Sequence, residues 1–267
     1  MTYVQFLRLR KALTIYGIVV GSIFLFGLIV GHWPNARFDF GHGLHHALTE
    51  TSSIPKSIPM SGVLFLAAWC AIIFATVLST SLNKENDGVE MVWTKPIARE
   101  RLAVQYIGLD LSAILVAFAC PAVLCIIAIA SVGGLEYLRF DARTWQTLII
   151  GLGTAFMWYG LVQALTSWQR GRGGMAVGLS WAAAFLVLSF AEATHFVPGP
   201  LHQILLAADV LNPLAYFSSY SLSGYGAHAS PVLPQVFAGT EMRSILTWSI
   251  GFLGCAGAVG GWKRLEV

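Results

Sequence analysis

The chain has 267 residues, of which 56% are hydrophobic and only 11% charged, with a formal net charge of +3 and a mean hydropathy of +0.69. Ordinary soluble domains carry about 25% charged residues, so this composition argues against a water-soluble globular protein. No basic patch sits on a soluble domain large enough to hold a duplex, so nucleic acid is not an expected partner.

Six runs without a charged side chain, 12–31, 57–83, 111–135, 144–169, 173–191 and 244–262, are each long enough, or nearly so, to cross a bilayer. A crossing helix needs about 20 apolar residues, because the hydrocarbon core is ~30 Å thick and each helical residue rises ~1.5 Å. The runs predict spans at about 12–31, 60–82, 104–131, 145–168, 174–193 and 243–262. The expected fold is therefore an all-α polytopic membrane protein, one transmembrane domain over 1–267. The first run is longer than the ~7 to 15 residues of a signal-peptide core, so it reads as a retained span. Ahead of it, Phe6, Leu9 and Leu13 oppose Arg8 and Lys11, a pattern suited to lying along the inner interface, although Arg10 blurs it.

Cytoplasmic connections carry the excess of Lys and Arg. With six spans and both termini inside, the inner side receives Arg8, Arg10, Lys11, Lys84, Lys95, Arg99, Arg101, Arg170, Arg172, Lys263 and Arg264. The outer side receives Arg37, Lys56, Arg139, Arg143 and Arg243. Eleven against five predicts cytoplasmic N and C termini. All four cysteines, Cys70, Cys120, Cys125 and Cys255, fall in spans and read as small apolar residues, with no disulfide framework and no metal-ligand spacing.

The first outer loop contains Gly41-His42-Gly43-Leu44-His45-His46. On a helix His42 and His46 would share a face suited to a metal, but the glycines on either side of His42 oppose that helix, leaving solvated interfacial histidines as the reading and no expected metal. The second outer region, 194–242, holds five of the ten prolines. Its part from Leu201 to Tyr220 is apolar enough to touch the membrane, while Asp209 and Pro213 interrupt a full crossing. A re-entrant or interfacial hairpin over the mouth of a cavity is expected, with Asn212, Pro213 and Tyr216 as candidate outer-gate residues.

The inner connection over 84–101 is the most informative segment. Val89, Val92 and Trp93 share one helical face, with Asp87, Glu90 and Thr94 on the other, which describes a short helix along a surface. Pro96 disfavours helical geometry at Lys95 and suits the first position of the next helix. A helix this short is marginal in water, so it needs a surface, either lipid headgroups or a partner protein.

Glu90 through Arg99, with Glu85 upstream, resembles the first cytoplasmic loop of type-2 ATP-binding-cassette transporter permeases. There a Glu, an apolar trio, a Thr-Lys/Arg-Pro and a following Arg precede the third helix; here these are Glu90, Met91-Val92-Trp93, Thr94-Lys95-Pro96 and Arg99. Leu211-Asn212-Pro213-Leu214-Ala215-Tyr216 is similar to an Asn-Pro-Leu stretch of the same family. Gly88 departs from the pattern, standing two residues before Glu90 where the family more often has three. The resemblance implies a permease half that pairs with a second copy or paralogue and with two cytosolic ATPase subunits. Glu85, Glu90, Val92, Trp93, Thr94, Lys95, Pro96 and Arg99 would then dock into a groove on the ATPase, which would hold ATP and Mg. In agreement, no GxxxxGK[ST] loop occurs, so this chain is not expected to bind nucleotide by that mechanism or to act as an enzyme.

Within the spans, Asp110 is the nearest approach to an intramembrane carboxylate. A third span entering near Val104 puts it ~9 Å along, still able to reach headgroups or cavity water. Gly17 and Gly21, Gly27 and Gly31, Gly174 and Gly178, and Gly257 and Gly261 have GxxxG spacing, which permits close helix approach. The family resemblance places the first and fifth spans at a permease dimer interface. Pro121 is expected to kink the third span. The favoured expectation is an exporter permease whose Phe-, Trp-, Met- and Leu-rich spans suit a hydrophobic or amphipathic cargo such as a lipid, drug or peptide antibiotic. The alternative is a stand-alone ion-coupled carrier or channel; an intramembrane enzyme has little support, because neither HExxH nor GxSxG is present.

Overall fold

The computed structural model describes residues 2–31, 58–80, 99–131, 134–140, 142–168, 172–191, 199–216 and 240–264. In chain order the elements are α1 (Thr2–Gly31), β1 (Ile58–Pro59), α2 (Met60–Leu78), α3 (Arg99–Ser131), a short 3₁₀ turn (Gly134–Tyr137), β2 (Leu138–Arg139), α4 (Ala142–Trp168), α5 (Gly173–Ala191), α6 (Pro200–Val210) and α7 (Thr240–Arg264). A backbone in hydrocarbon must satisfy its own polar groups, and helices do so within one segment. The protein is accordingly an all-α polytopic membrane protein. The small exception is a parallel pairing of β1 with β2, Ile58 opposite Leu138 and Pro59 opposite Arg139.

Among the described residues five helices are long and apolar enough to cross a membrane: Leu7–Phe26, Met60–Leu78, Glu100–Ser131, Thr144–Trp168 and Glu241–Trp262. The fifth expected span falls on α5, whose apolar part, Gly173–Ser189, is shorter than these. The N-terminal stretch that reads as an interfacial segment is instead the first part of one continuous 30-residue helix. Nothing breaks that helix between Arg8 and the apolar run, because the sequence there contains neither Gly nor Pro before Gly17. Hydroxyls within the apolar helices fold back on their own carbonyls, as Thr76 does to Ile72, Thr154 to Ile150 and Ser180 to Ala176.

The central helix is α4. Of its most apolar window 67% is buried inside the protein, against 11% for α1, which lies at the periphery along α3. Glycines set the closest approach, where α4 meets α7. A Cβ on Gly254 would stand 2.9 Å from the Leu161 amide nitrogen, and one on Gly261 2.6 Å from the Trp168 ring. Around this seam Phe156 packs edge-on to Phe252 with ring centres 4.9 Å apart, and the Trp168 indole donates to the Gly257 carbonyl at 3.2 Å. On the other flank of α4, Trp158 donates to Thr76 Oγ1 at 2.8 Å and Trp181 to the same oxygen at 3.3 Å, so one hydroxyl joins α2, α4 and α5. Near the end of α2, Thr166 Oγ1 donates to the Ser79 carbonyl at 2.6 Å, supplying a helix terminus with a partner.

Candidate functional site

Asp110 lies eleven residues into α3, ~16 Å along its axis, and Tyr159 lies nine residues before the end of α4, ~14 Å along its axis. In helices that run in opposite directions, these depths meet. The Asp110 side chain is 1% exposed. Its Oδ1 accepts a hydrogen bond from Arg8 Nη2 of α1 at 2.9 Å, and its Oδ2 accepts one from the Tyr159 hydroxyl at 2.9 Å. Arg8 also stands 5.8 Å from the centre of the Tyr106 ring, one helical turn before Asp110, where the ring's π face attracts a cation. The sequence reading of an acid reaching headgroups or cavity water is therefore corrected. Burial beside Arg8 and Tyr159 removes Asp110 from solvent and replaces water with two fixed donors.

The site was only half legible. Asp110 stands out in the sequence as the nearest approach to an intramembrane carboxylate, but its partners do not: Arg8 reads as an inner positive charge on the polar face of the N-terminal segment, and Tyr159 is one aromatic among many. Their signal was polarity at odds with a lipid-facing environment. Chemically the cluster is a charge-neutral clamp joining α1, α3 and α4. Beside it, a groove of about 480 Å³ between α1 and α3 is mostly apolar, with Arg10, Thr14 and Ser112 as its polar members.

Pro121 sits inside α3 and has no amide to give the Ala117 carbonyl four residues earlier. The hydroxyl of Tyr16 in α1 donates to that carbonyl at 2.7 Å. Of the other small-residue candidates, Gly17, Gly21, Gly174 and Gly178 would each place a Cβ with nothing within 4 Å of it, so no contact among the described residues uses them. Gly257 does meet Ala164, at 3.7 Å. Gly261 of the same pair meets Trp168 and Ser167 closely, whereas Gly153, Gly160, Gly251 and Gly254, which bring helices equally close, do not stand four apart and are missed by GxxxG spacing.

The expected outer-gate residues are brought together. Gly199, with φ of 79°, turns the chain into α6 with Pro200 next, a conformation that favours glycine. After α6 the Asn212 side chain closes the turn, its Oδ1 accepting from the Leu214 amide at 3.1 Å while its Nδ2 donates to the Ala184 carbonyl of α5 at 3.0 Å. Pro213 is buried. Tyr216 is fully buried against Ile150 and Met157 of α4, with Leu246 and Ile250 of α7 beside it, and donates to the Val210 carbonyl at 2.9 Å. Burial, with the neighbouring Asp209, pushes its hydroxyl up to about 12.

Glu85, Glu90, Val92, Trp93, Thr94, Lys95 and Pro96, together with His42, His45 and His46, lie outside the described residues; Arg99 opens α3. Among the described residues no group of His, Cys, Asp or Glu is arranged to hold a metal ion.

Family models, characterised proteins and solved structures offer no match to this chain.

Proposed function

We propose that this chain is the membrane-spanning permease half of an ATP-binding-cassette exporter in the cell membrane, moving a hydrophobic or amphipathic substrate with ATP hydrolysed by a separate subunit. The observation that carries the reading is the order of segments: an apolar helix ending at Leu78, then Glu90 to Arg99 with its Thr94-Lys95-Pro96, then α3 beginning at Arg99. Six apolar helices support it, with α5 counted as the fifth span and both termini cytoplasmic by the distribution of Lys and Arg. So does the short α6 with its Asn212-Pro213 turn, which follows α5 and precedes α7 in the chain. The partners in this reading are two ATPase subunits and a second permease, and the force enters α3 through the segment before it.

The test is substrate-stimulated ATPase activity in the complex assembled with its ATPase. Trp93→Ala and Glu90→Lys leave the protein inserted and abolish the stimulation; normal coupling in both variants refutes the assignment.

A second reading, a stand-alone ion-coupled carrier or channel, draws support from Asp110, an ionisable side chain buried among the helices. It requires transport by the purified chain in vesicles without any ATPase, a result that the permease reading does not survive.

A further inference from the structure

Asp209 closes α6 and is fully buried, and neither carboxylate oxygen has a hydrogen-bond partner among the described residues. This is the reverse of Asp110, whose two oxygens both accept from donors. It also sits in the last turn of α6, where the carbonyl ends of the helix dipole oppose a negative charge. A carboxylate without donors is costly in such a place, whereas a neutral carboxyl is tolerated. The described ionisable groups around it offer no counter-charge. Tyr216 is neutral and already donates to Val210. His202 lies on the same helix, two turns earlier. The helix packed against α6, α5, has no ionisable side chain. On α4 the residues packed against Tyr216 are Ile150 and Met157, and on α7 Arg243 acts on Tyr216 while Glu241 is exposed.

We propose that Asp209 is a proton-binding site that latches the 199–216 unit: the unit stays seated against α4, α5 and α7 while the carboxyl keeps its proton, and is released when that proton leaves to bulk water. The unit begins at the Gly199 turn and is held by Asn212 to Ala184, by Leu214 in the main apolar core and by the buried Tyr216. Burial pushes the Asp209 carboxyl up from 3.8 to about 7. Because the seated state holds its proton more tightly than the released state, the contribution to seating is fully present below pH 3.8 and is lost as pH rises through about 7. The latch is independent of the transporter reading, being a property of this unit alone.

The test compares labelling of two engineered cysteines by a maleimide in the full-length protein. One replaces Ala215, which is buried, and the other Leu211, which is 53% exposed and serves as the reference for thiol ionisation. From pH 5 to pH 8 the ratio of Ala215→Cys to Leu211→Cys labelling is expected to rise at least about tenfold, and to stay flat when Asp209→Asn mimics the neutral carboxyl. A flat ratio in the parent, or an equal rise with Asp209→Asn, overturns the latch. Infrared difference spectra need no cysteine. They are expected to show, at pH 5, a protonated-carboxyl carbonyl band that Asp209→Asn removes, and a parent without that band overturns the proposal equally.

Discussion

Pro121 and Tyr16 belong to different helices, and each supplies what the other needs. The proline leaves the Ala117 carbonyl without its helical donor, and the tyrosine hydroxyl donates to it at 2.7 Å. Tyr16→Phe is expected to destabilise the protein by about 1–3 kcal/mol, the cost of a buried acceptor left unmade. In a Pro121→Ala background the amide returns and the same change costs less, so a double-mutant cycle of thermal unfolding in detergent measures a positive coupling. Equal costs in the two backgrounds contradict the pairing. The residue scale also explains why Asp110 was visible in the sequence and its role was not. An acid near an apolar run announces itself, but whether it faces water or an arginine depends on which side chain a neighbouring helix presents.

At the scale of elements, the α4–α7 seam and the outward faces of α1 and α5 use glycine in opposite ways. At Gly254 a methyl group would press on the backbone of α4, which cannot swing aside as a side chain can. Gly254→Ala is therefore expected to cost more than about 1–3 kcal/mol, the usual range for overpacking. Gly17→Ala, Gly21→Ala and Gly178→Ala meet open space and are expected to stabilise the isolated chain by about 0.5–1 kcal/mol through helix propensity. Thermal unfolding of the purified chain separates the two groups. If a second permease covers α1 and α5, the latter substitutions weaken the assembled dimer while sparing the monomer. The GxxxG pairs selected by spacing thus divide: Gly257 and Gly261 serve packing within the chain, whereas Gly17, Gly21, Gly174 and Gly178 meet no other described helix. Spacing along one helix reports a small stripe but not which helix lies across it.

Across the whole molecule, α1 is the least embedded of the long helices, and two polar links fasten it to α3: Arg8 to Asp110 and Tyr16 to Ala117. Lipid tails are as apolar as leucine, so such links matter more to helix association than apolar area does. Arg8→Met leaves a buried carboxylate without its counter-charge and is expected to cost about 3 kcal/mol, the lower end for a broken buried pair because Arg8 itself is 32% exposed. Spin labels on α1 and α3 would then report a broader distance distribution, whereas Arg8→Lys largely restores it. An unchanged distribution with Arg8→Met shows that the Arg8–Asp110 pair does not hold α1 in place.

The existence of the long apolar helices was determined by the sequence itself, because a charge-free run of bilayer length has few alternatives to a helix in lipid. The interrupted segment after the fifth apolar run was equally legible, since the 11-residue α6 is too short for the crossing that Asp209 and Pro213 interrupt. Only the tertiary structure decided the partners. Arg8 lies 102 residues from Asp110, Tyr159 lies 49 from it, and Tyr16 lies 101 from Ala117, so no local period links them. Local pattern sets which segments leave water; contact between segments distant in sequence sets which buried carboxylate meets donors, as Asp110 does, and which, like Asp209, meets none among the described residues.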